Sequence, residues 1–380
     1  MRIGVFGGSF DPVHSEHIAL THSAVQTLGL DKLLVMPAYA PPHKKGKRLS
    51  PDNARLDMCR LAFEGCDKIE VSDYEITKKG TSYTYLTMRY FREKYENAEL
   101  FFLVGTDMLR DFPTWKEPQD ILNNATLAVC ARAEKTGWAE RERGWFLEKF
   151  GKEFVTIDYN GAAVSSTEIR VLAGAGMDLT PFIPPKVAAY IEEKGLYFIP
   201  NAKEALSLEK QSRRLHSVRV AKIAAKRAVE LGLDEKKAIT AALFHDCAKN
   251  IELTSPLLSG FALPREWGEV PQSVVHQFSG AYLAEHAFGV TDSDVLNAVR
   301  YHTSGRENMS ELEKLIFLAD MVEEEREYDC VESLRTLFWN GENLDECLET
   351  ALKETVAFLQ KKGAEVYPLT LEAYAYYRKK

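Results

Sequence analysis

Short apolar runs separated by longer amphipathic stretches fill the first 200 residues of the chain. Several of the stretches between these runs have helical spacing, which is typical of βαβ crossovers and a mainly parallel sheet. In such sheets, ligands bind at the carboxyl ends of the strands. Six runs are predicted strands: Arg2–Phe6, Lys32–Met36, Ile69–Ile76, Leu100–Val104, Leu127–Ala131 and Phe154–Ile157.

After about residue 200 the strand pattern gives way to consecutive helices, with apolar residues at steps of three and four. The clearest predicted helices are Leu206–Leu231, Lys236–Phe244, Ser293–Tyr301 and Glu311–Arg326. A chain of 380 residues is too long for one ordinary core, so we expect two domains, 1–200 and 201–380. The predicted fold class is α/β plus all-α: a Rossmann-like domain with a parallel sheet, followed by an all-helical domain.

Composition and charge narrow the class of protein. The net charge of −8 argues against a protein that coats nucleic acid, since such binding depends on clustered Lys and Arg. The six cysteines include no C-x-x-C pair and are expected to be reduced thiols. No leader pattern and no apolar run of membrane-spanning length occurs, so we expect a cytoplasmic protein with no membrane partner. A homo-oligomer is left open.

The segment "VFGGSFDPVHSEH" holds the first candidate site. Gly7 and Gly8 allow a tight turn that brings backbone N–H groups close to a ligand, and a helix is expected to start near His14. His14 and His17 then share one face of that helix start, where imidazoles can donate hydrogen bonds to phosphate oxygens. An isolated H-x-x-H can equally be two surface histidines. Two further elements favour phosphate: a basic loop (Lys44, Lys45, Lys47, Arg48) and the segment Ser165, Ser166, Thr167 with Arg170.

Four motifs together, "GGSFDPVHSEH", "PPHK", "GTDMLRDFPTW" and "SSTEIR", resemble nicotinate mononucleotide adenylyltransferases of the H-x-G-H nucleotidyltransferase superfamily. The resemblance covers residues 1 to about 198. It implies in-line attack of the mononucleotide phosphate on the α-phosphate of ATP, with Mg²⁺ and no covalent enzyme intermediate. The products would be nicotinate adenine dinucleotide and pyrophosphate.

The same resemblance implies site residues. His14 and His17 would be catalytic, through stabilisation of the transition state. The Gly80–Thr84 turn would receive the nicotinate carboxylate on its backbone amides, while Asp107 would bind ribose and Trp115 would stack on the pyridine ring. ATP would contact Gly7, Gly8, Ser9, Phe10, His14, His17, Lys44, Ser166, Thr167 and Arg170, and the mononucleotide Thr81, Ser82, Tyr83, Thr84, Asp107 and Trp115.

One position departs from the motif. The family has glycine between the two histidines, and this chain has Glu16. A carboxylate suits a helix N-terminus but brings negative charge near a triphosphate. We therefore expect the Glu16 side chain to point away from the phosphates.

The helical half holds the second candidate site. His245 and Asp246 end an apolar helical run, and Asp320 lies inside another apolar stretch. A lone buried carboxylate costs several kcal/mol unless it is paired or bound to a cation. The spacing also points His216 and His302 inward. Imidazole and carboxylate together suit a divalent metal that activates water.

The order His, His-Asp, His, His, Asp resembles the HD-domain metallophosphohydrolases. More narrowly, "HDCAK", "HQFSGAYLAEHAFGV" and "YHTSGRENMSELEKLIFLADMVEEER" resemble bacterial HD-type symmetrical diadenosine tetraphosphate hydrolases, over residues 205 to 370. The resemblance implies a metal-bound hydroxide, two ADP as products, and iron or manganese. It places His216, His245, Asp246 and Asp320 on one metal, and His276 and His302 on a second. Asp246 and Lys249 would be catalytic, and Lys249 and Arg306 would contact phosphates. His286 is expected to be structural.

Three alternatives stay open at this point. The first half could adenylylate another acceptor, as pantetheine-phosphate enzymes do, although those typically carry threonine where His14 stands. The acceptor could also be the amide form of the mononucleotide. The HD half could be a nucleotide-sensing module without catalysis, or act on another nucleotide.

Overall fold

The computed structural model describes residues 1–41, 49–132, 138–161, 163–266 and 268–378 of the chain. These residues divide into two compact units. The first comprises Met1–Ile169 and Leu179–Leu196, and the second comprises Arg170–Asp178 and Tyr197–Lys380. The short segment 170–178 therefore belongs with the second unit, although the chain returns to the first unit after it.

A six-stranded parallel sheet forms the centre of the first unit, as the sequence predicted. Its strand order is β3-β2-β1-β4-β5-β6, with β1 paired to β2 on one side and to β4 on the other. Val5 of β1 aligns with Leu34 and Phe102, and all three are buried because helices cover both faces. The strands are β1 Arg2–Gly8, β2 Lys32–Pro37, β3 Ile69–Val71, β4 Glu99–Gly105, β5 Thr126–Arg132 and β6 Val155–Tyr159.

The helices that begin before residue 197 connect these strands or follow them. They are α1 Ser15–Thr27, α2 Asp52–Ala62, α3 Tyr74–Lys78, α4 Thr84–Lys94, α5 Thr106–Asp111, α6 Pro118–Asn124, α7 Trp138–Phe150, α8 Ser166–Gly174 and α9 Pro185–Glu193. The prediction of a strand over Ile69–Ile76 was wrong beyond Val71, where a short helix begins at Tyr74. The Tyr74 ring stacks on Tyr90 of α4 at 3.8 Å, and this packing favours the helical turn over a longer strand.

The remainder of the second unit is helical, as predicted. Its helices are α10 Ala202–Ser207, α11 Gln211–Leu231, α12 Glu235–Phe244, α13 Gln272–His286, α14 Ser293–Arg300, α15 Glu311–Met321, α16 Val331–Asn340, α17 Asp345–Lys361 and α18 Pro368–Tyr377. Small buried residues let α11 and α12 approach closely, among them Ala221 and Ala225 of α11 and Ala241 of α12. This packing brings the start of α11 next to the end of α12.

Two predicted helices are shorter than the periodicity suggested. The helix predicted over Leu206–Leu231 is interrupted between α10 and α11, because Lys210 has an extended backbone and Glu209 turns inward to accept a hydrogen bond from Ser217 Oγ at 2.9 Å. The helix predicted over Glu311–Arg326 ends at Met321, since the following residues fold back and Arg326 Nε donates to the Asp320 carbonyl at 3.0 Å.

No helix within the described ranges is long and apolar enough to cross a membrane. All six cysteines are free thiols.

Candidate active sites

The strand order of the sheet reverses beside the carboxyl end of β1, and this is where the histidine pair lies. His14 is the N-cap of α1, and His17 is three residues further on. Their ring centroids are 3.7 Å apart with 34° between the planes, so the two imidazoles converge. The pair therefore lies in the crevice in which sheets of this kind bind nucleotides.

Hydrogen bonding fixes which nitrogen of His17 can face a ligand. The backbone N–H of His14 donates to His17 Nδ1 at 3.2 Å. Because Nδ1 accepts this hydrogen bond, the neutral ring carries its proton on Nε2. His17 therefore presents an N–H donor, which is the group that an anionic phosphate oxygen requires.

Buried contacts support the loop between β1 and α1. Phe10 is buried and its ring contacts His17 at 4.9 Å between centroids. A side chain at Gly8 would begin only 3.0 Å from the Phe10 ring, which explains the glycine. The fully buried Arg55 donates to the Ser9 carbonyl at 2.8 Å. These contacts hold the backbone of this predicted ATP-binding loop, including Gly7, in one conformation.

The start of α8 lies against the same loop. Ser166 Oγ donates to the Pro12 carbonyl at 2.9 Å. Ser165 and Glu168 form a reciprocal cap, in which Glu168 accepts from the Ser165 N–H and its own N–H donates to Ser165 Oγ. The N-termini of α1 and α8 are thus brought together with Thr167 in the first turn of α8. ATP binding by Ser166 and Thr167 stays a prediction.

Lys44 and Arg170 are the two remaining residues predicted to contact the ATP phosphates. Lys44, with Lys45, Lys47 and Arg48, lies outside the described residues. Arg170 is buried and its Nη2 lies 2.5 Å from Glu235, which belongs to the same unit. Its contact with ATP also stays a prediction.

Glu16, the departure from the motif, is buried and accepts a hydrogen bond from the Tyr159 hydroxyl of β6 at 2.7 Å. Gly161 accommodates this arrangement, because a side chain there would come within 3.2 Å of the Glu16 carboxyl carbon. The pairing supports the expectation that the carboxylate is directed away from the phosphates.

The predicted mononucleotide residues are held by internal hydrogen bonds. Ser82 Oγ accepts from the N–H groups of Tyr39 and Ala40 at 3.0 and 3.2 Å. The backbone N–H groups of Ser82 and Tyr83 donate to the carbonyls of Ala40 and Thr81. A small cavity is lined by the turn from Gly80 to Tyr83, and Thr84 begins α4 next to it. Two backbone N–H groups of the turn are thus already hydrogen-bonded, and its binding of the nicotinate carboxylate stays a prediction.

Asp107 and Trp115 follow β4. The Asp107 carboxylate folds back over Gly105, where an added Cβ would lie 2.5 Å from one of its oxygens, so a larger residue there would displace this carboxylate. Trp115 is half-buried, with its ring against Phe102 and Phe112 at 6.0 and 5.5 Å between centroids. Its packing on the core agrees with a structural role, and its stacking on a pyridine ring stays a prediction.

All six predicted metal ligands come together in the second unit. They form three overlapping groups of three residues, and within each group the ligand atoms lie within 4.8 Å of one another. The sets are His216 with His245 and Asp246, His245 with His302 and Asp320, and Asp246 with His276 and His302. The side chains come from α11, the ends of α12 and α14, α13 and α15, so five separate segments converge on one point.

Three of the four histidines are oriented by an oxygen at Nδ1. His245 donates to the Ala242 carbonyl at 2.6 Å, and His302 donates to the Val299 carbonyl at 2.7 Å. His216 Nδ1 lies 3.1 Å from the buried carboxylate of Glu323. Because carbonyl oxygens only accept, Nδ1 of His245 and of His302 carries the proton and their Nε2 lone pairs face the cluster. His216 lies between two carboxylates, since its Nε2 is also 2.8 Å from Asp320 Oδ1.

The electrostatics of the cluster favour cation binding. Burial lowers the pKa of His245 and of His276 to about 4, so both rings are neutral at pH 7. Burial raises the pKa of Asp320, but the hydrogen bond from His216 and the Arg326 charge outweigh it and hold that pKa below its usual range. The pKa of Asp246 is likewise held low by its neighbouring imidazoles. Neutral imidazoles beside ionised carboxylates are the protonation states that metal ligands need.

One buried atom also indicates a ligand. His245 Nε2 has no hydrogen-bond partner in the part of the chain that the structure describes, although the residue is fully buried. An unpaired buried acceptor is costly, and a cation would satisfy it. The set of imidazole and carboxylate donors thus fits a divalent metal.

Of the two predicted phosphate contacts in this half, one lies beside the metal cluster and the other is paired with a glutamate. Lys249 Nζ lies 2.9 Å from His276 Nε2 and 3.9 Å from Asp246 Oδ1, at the edge of the cluster. Arg306 instead forms a bidentate pair with the buried Glu313, at 2.7 and 2.9 Å. His286 is exposed and stacks on Tyr282 at 4.0 Å, in agreement with the structural role expected for it.

Comparison with known proteins covers both halves. The chain matches the Cytidylyltransferase-like family over residues 5–172 and the HD domain family over residues 213–325. A Mycoplasma pneumoniae protein named "Probable nicotinate-nucleotide adenylyltransferase/Ap4A hydrolase" is 30% identical over 336 residues, covering 86% of this chain and 89% of that protein. The chain belongs to this adenylyltransferase/Ap4A hydrolase family.

Other known proteins match one half of this chain. A Thermotoga maritima protein named "Probable nicotinate-nucleotide adenylyltransferase" is 40% identical over 191 residues, covering 50% of this chain and 91% of that protein. A solved Clostridium acetobutylicum structure titled "predicted HD superfamily hydrolase involved in NAD metabolism" is 32% identical to this chain. The match covers 47% of this chain and 95% of that protein, with a TM-score of 0.42.

Four residues near the metal cluster were not identified from the sequence. Glu323 orients His216, and Arg219 binds Glu323 in turn. Arg213 and Arg326 contact Asp246 and Asp320. Only Glu323 had a local signal, since the acidic run after Asp320 places a carboxylate three residues from a ligand.

Replacing Glu323 by glutamine is expected to weaken metal binding about 10- to 100-fold, the usual cost of losing a carboxylate that orients a histidine ligand. Competition titration with manganese measures the change. Glu325→Gln is the matched control, because Glu325 also pairs with Arg219 but its side chain is 71% exposed. Equal metal affinity for Glu323→Gln and Glu325→Gln would contradict the assignment.

Proposed function

We propose that this chain transfers AMP from ATP to nicotinate mononucleotide and hydrolyses diadenosine tetraphosphate symmetrically to two ADP. The observation that carries the proposal is the relative that spans both halves, taken together with the convergence of both sets of motif residues. The groups that converge in each half are of the kinds that suit a phosphoanhydride substrate.

For adenylyl transfer, positioning and charge stabilisation would supply the rate. The Nε2–H of His17 donates to an oxygen of the reacting phosphate, and His14 lies beside it. The N-termini of α1 and α8 add their positive ends to the same crevice. Mg²⁺ accompanies the triphosphate and supplies charge neutralisation. No side chain in this crevice needs to form a covalent bond with the substrate.

For hydrolysis, His216, His245, Asp246, His276, His302 and Asp320 would hold one or two divalent ions, of which iron and manganese are the expected ones. The bound ion supplies a water molecule of lowered pKa. The chain's own residues fix the Nε2 lone pairs through their Nδ1 hydrogen bonds and keep both carboxylates ionised. Lys249 places an ammonium group at the edge of the site, where it can contact a phosphate oxygen.

The acceptor is tested by comparing turnover of the acid and amide mononucleotides. If the turn from Gly80 to Thr84 receives a carboxylate, kcat/KM for the acid should exceed that for the amide by about 100-fold or more, because the amide has no negative charge. Equal values would favour the amide as a natural substrate. Turnover of phosphopantetheine at a comparable rate would favour the pantetheine-phosphate alternative.

The hydrolase assignment is tested on protein loaded with iron or manganese. Release of two ADP from each diadenosine tetraphosphate is the expected result. Metal-loaded protein that binds the nucleotide without releasing ADP would favour the nucleotide-sensing alternative, and faster cleavage of a different nucleotide would reassign the substrate.

A further inference from the structure

Three cationic side chains surround the metal cluster on its solvent side. Arg213 Nη1 lies 2.9 Å from Asp246 Oδ2, Arg326 Nη2 contacts Asp320 Oδ1, and Lys249 Nζ lies near Asp246. Their side chains are 31%, 35% and 32% exposed, whereas Asp246 is buried. A ligand that approaches the cluster from solvent would therefore meet these three cations first.

The guanidinium groups of Arg213 and Arg326 each have N–H donors that the contacts with Asp246 and Asp320 do not use. A guanidinium has five N–H donors in a planar fork that matches phosphate. Arg213 uses one nitrogen for Asp246. Arg326 uses Nε and Nη2, and its Nη1 has no hydrogen bond among the residues that the structure covers.

In Arg306, by contrast, all three guanidinium nitrogen atoms already make hydrogen bonds. Its Nε and Nη2 are held by Glu313, and its Nη1 donates to the Glu307 carbonyl at 3.3 Å. Glu313 is buried and also caps α15 by accepting from the Ser310 N–H. Removing Arg306 would leave a buried carboxylate without its charged partner, so Arg306 is suited to holding this loop against α15 rather than to binding substrate.

The charge balance indicates the class of ligand. Three cations face two ligand carboxylates, and the divalent ions that these carboxylates would hold add further positive charge. An anion with several closely spaced charges complements such a surface. A polyphosphate chain carries such charges on successive phosphate groups.

We propose that Arg213, Lys249 and Arg326 form a clamp for the polyphosphate chain of the substrate, and that the clamp makes this site selective for nucleotides with long phosphate chains. This inference rests on the proposed hydrolase function for the identity of the substrate, but the binding residues are assigned independently of it. Arg213 and Arg326 replace Arg306 as the arginines that contact phosphate.

The test compares Arg213→Gln and Arg326→Gln in the full-length protein at saturating manganese. The probe is a hydrolysis-resistant methylene analogue of diadenosine tetraphosphate, with AMP as the short-chain reference, and affinities are measured by calorimetry. Each substitution should weaken the analogue about 10- to 100-fold, as expected for a charged hydrogen bond, and should change AMP affinity far less. Metal content, measured on the same samples, should match the wild type.

Arg265→Gln, at an exposed position, serves as the control. Wild-type affinity in both clamp variants would overturn the proposal, as would a loss of affinity that follows a loss of metal or an equal effect of Arg265→Gln. A wild-type protein that releases no ADP from diadenosine tetraphosphate would contradict the proposed hydrolase function instead. The clamp is then judged by the same variant-to-wild-type ratios with inorganic tripolyphosphate at saturating manganese.

Discussion

Substitution of Asp246 by asparagine is expected to lower the diadenosine tetraphosphatase rate by about 1,000-fold, the upper end of the cost of removing one group that stabilises the transition state electrostatically. Asp246 belongs to two of the three groups of ligand atoms, and its oxygens lie 3.2 Å from His276 Nε2 and 3.6 Å from His302 Nε2. Asparagine keeps the shape but removes the negative charge that balances a cation. The metal content of the variant should fall together with its rate.

Two controls define this result. Asp292→Asn changes a half-buried aspartate that caps α14, outside the cluster, and should retain both metal and activity. The adenylyltransferase activity of Asp246→Asn should equal that of the wild type, and its helical content and thermal unfolding should match the wild type if the helical unit is folded. A variant that hydrolyses diadenosine tetraphosphate at the wild-type rate would refute the metal assignment.

Substitution of His17 by asparagine is expected to lower kcat for adenylyl transfer by about 100- to 1,000-fold, the usual cost of removing one donor that stabilises developing charge. The asparagine side-chain oxygen can replace Nδ1 as acceptor of the His14 N–H, but no donor remains at the position of Nε2. The variant therefore keeps the hydrogen bond that supports the helix start and removes the proposed hydrogen bond to the phosphate.

Steady-state kinetics and thermal unfolding distinguish the two roles. His17→Ala should show the same fall in kcat and, in addition, a loss of about 1 kcal/mol in unfolding free energy, because the helix N-terminus loses its acceptor. His22→Asn, at an exposed position of the same helix, is the matched control and should change neither quantity. An unchanged kcat in His17→Asn would remove His17 from the transition-state contacts.

Element type and order could be predicted from the chain because they depend on local periodicity. The buried strands around Val5, Leu34 and Phe102 are continuous apolar runs, so their number and parallel arrangement followed from the alternation with helices. Element ends were less predictable. The break at Lys210 depends on the inward turn of Glu209 toward Ser217, and the end of α15 depends on Arg326 folding back, and neither contact is visible in a window of neighbouring residues.

The kinds of chemistry in this protein could be predicted from the chain. Two histidines at a helix start after a glycine turn, and imidazoles beside aspartates in apolar helices, indicate phosphate and metal sites, and the resemblance to HD-domain phosphohydrolases supplied the full ligand set. The orientation of these groups and the cations beside them became known from the folded structure. Glu323 reaches His216 across 107 positions, and Arg213 and Arg326 rather than Arg306 approach the carboxylates. The physical reason is that protonation state and charge pairing depend on neighbours in space, which chain packing brings together from distant parts of the sequence.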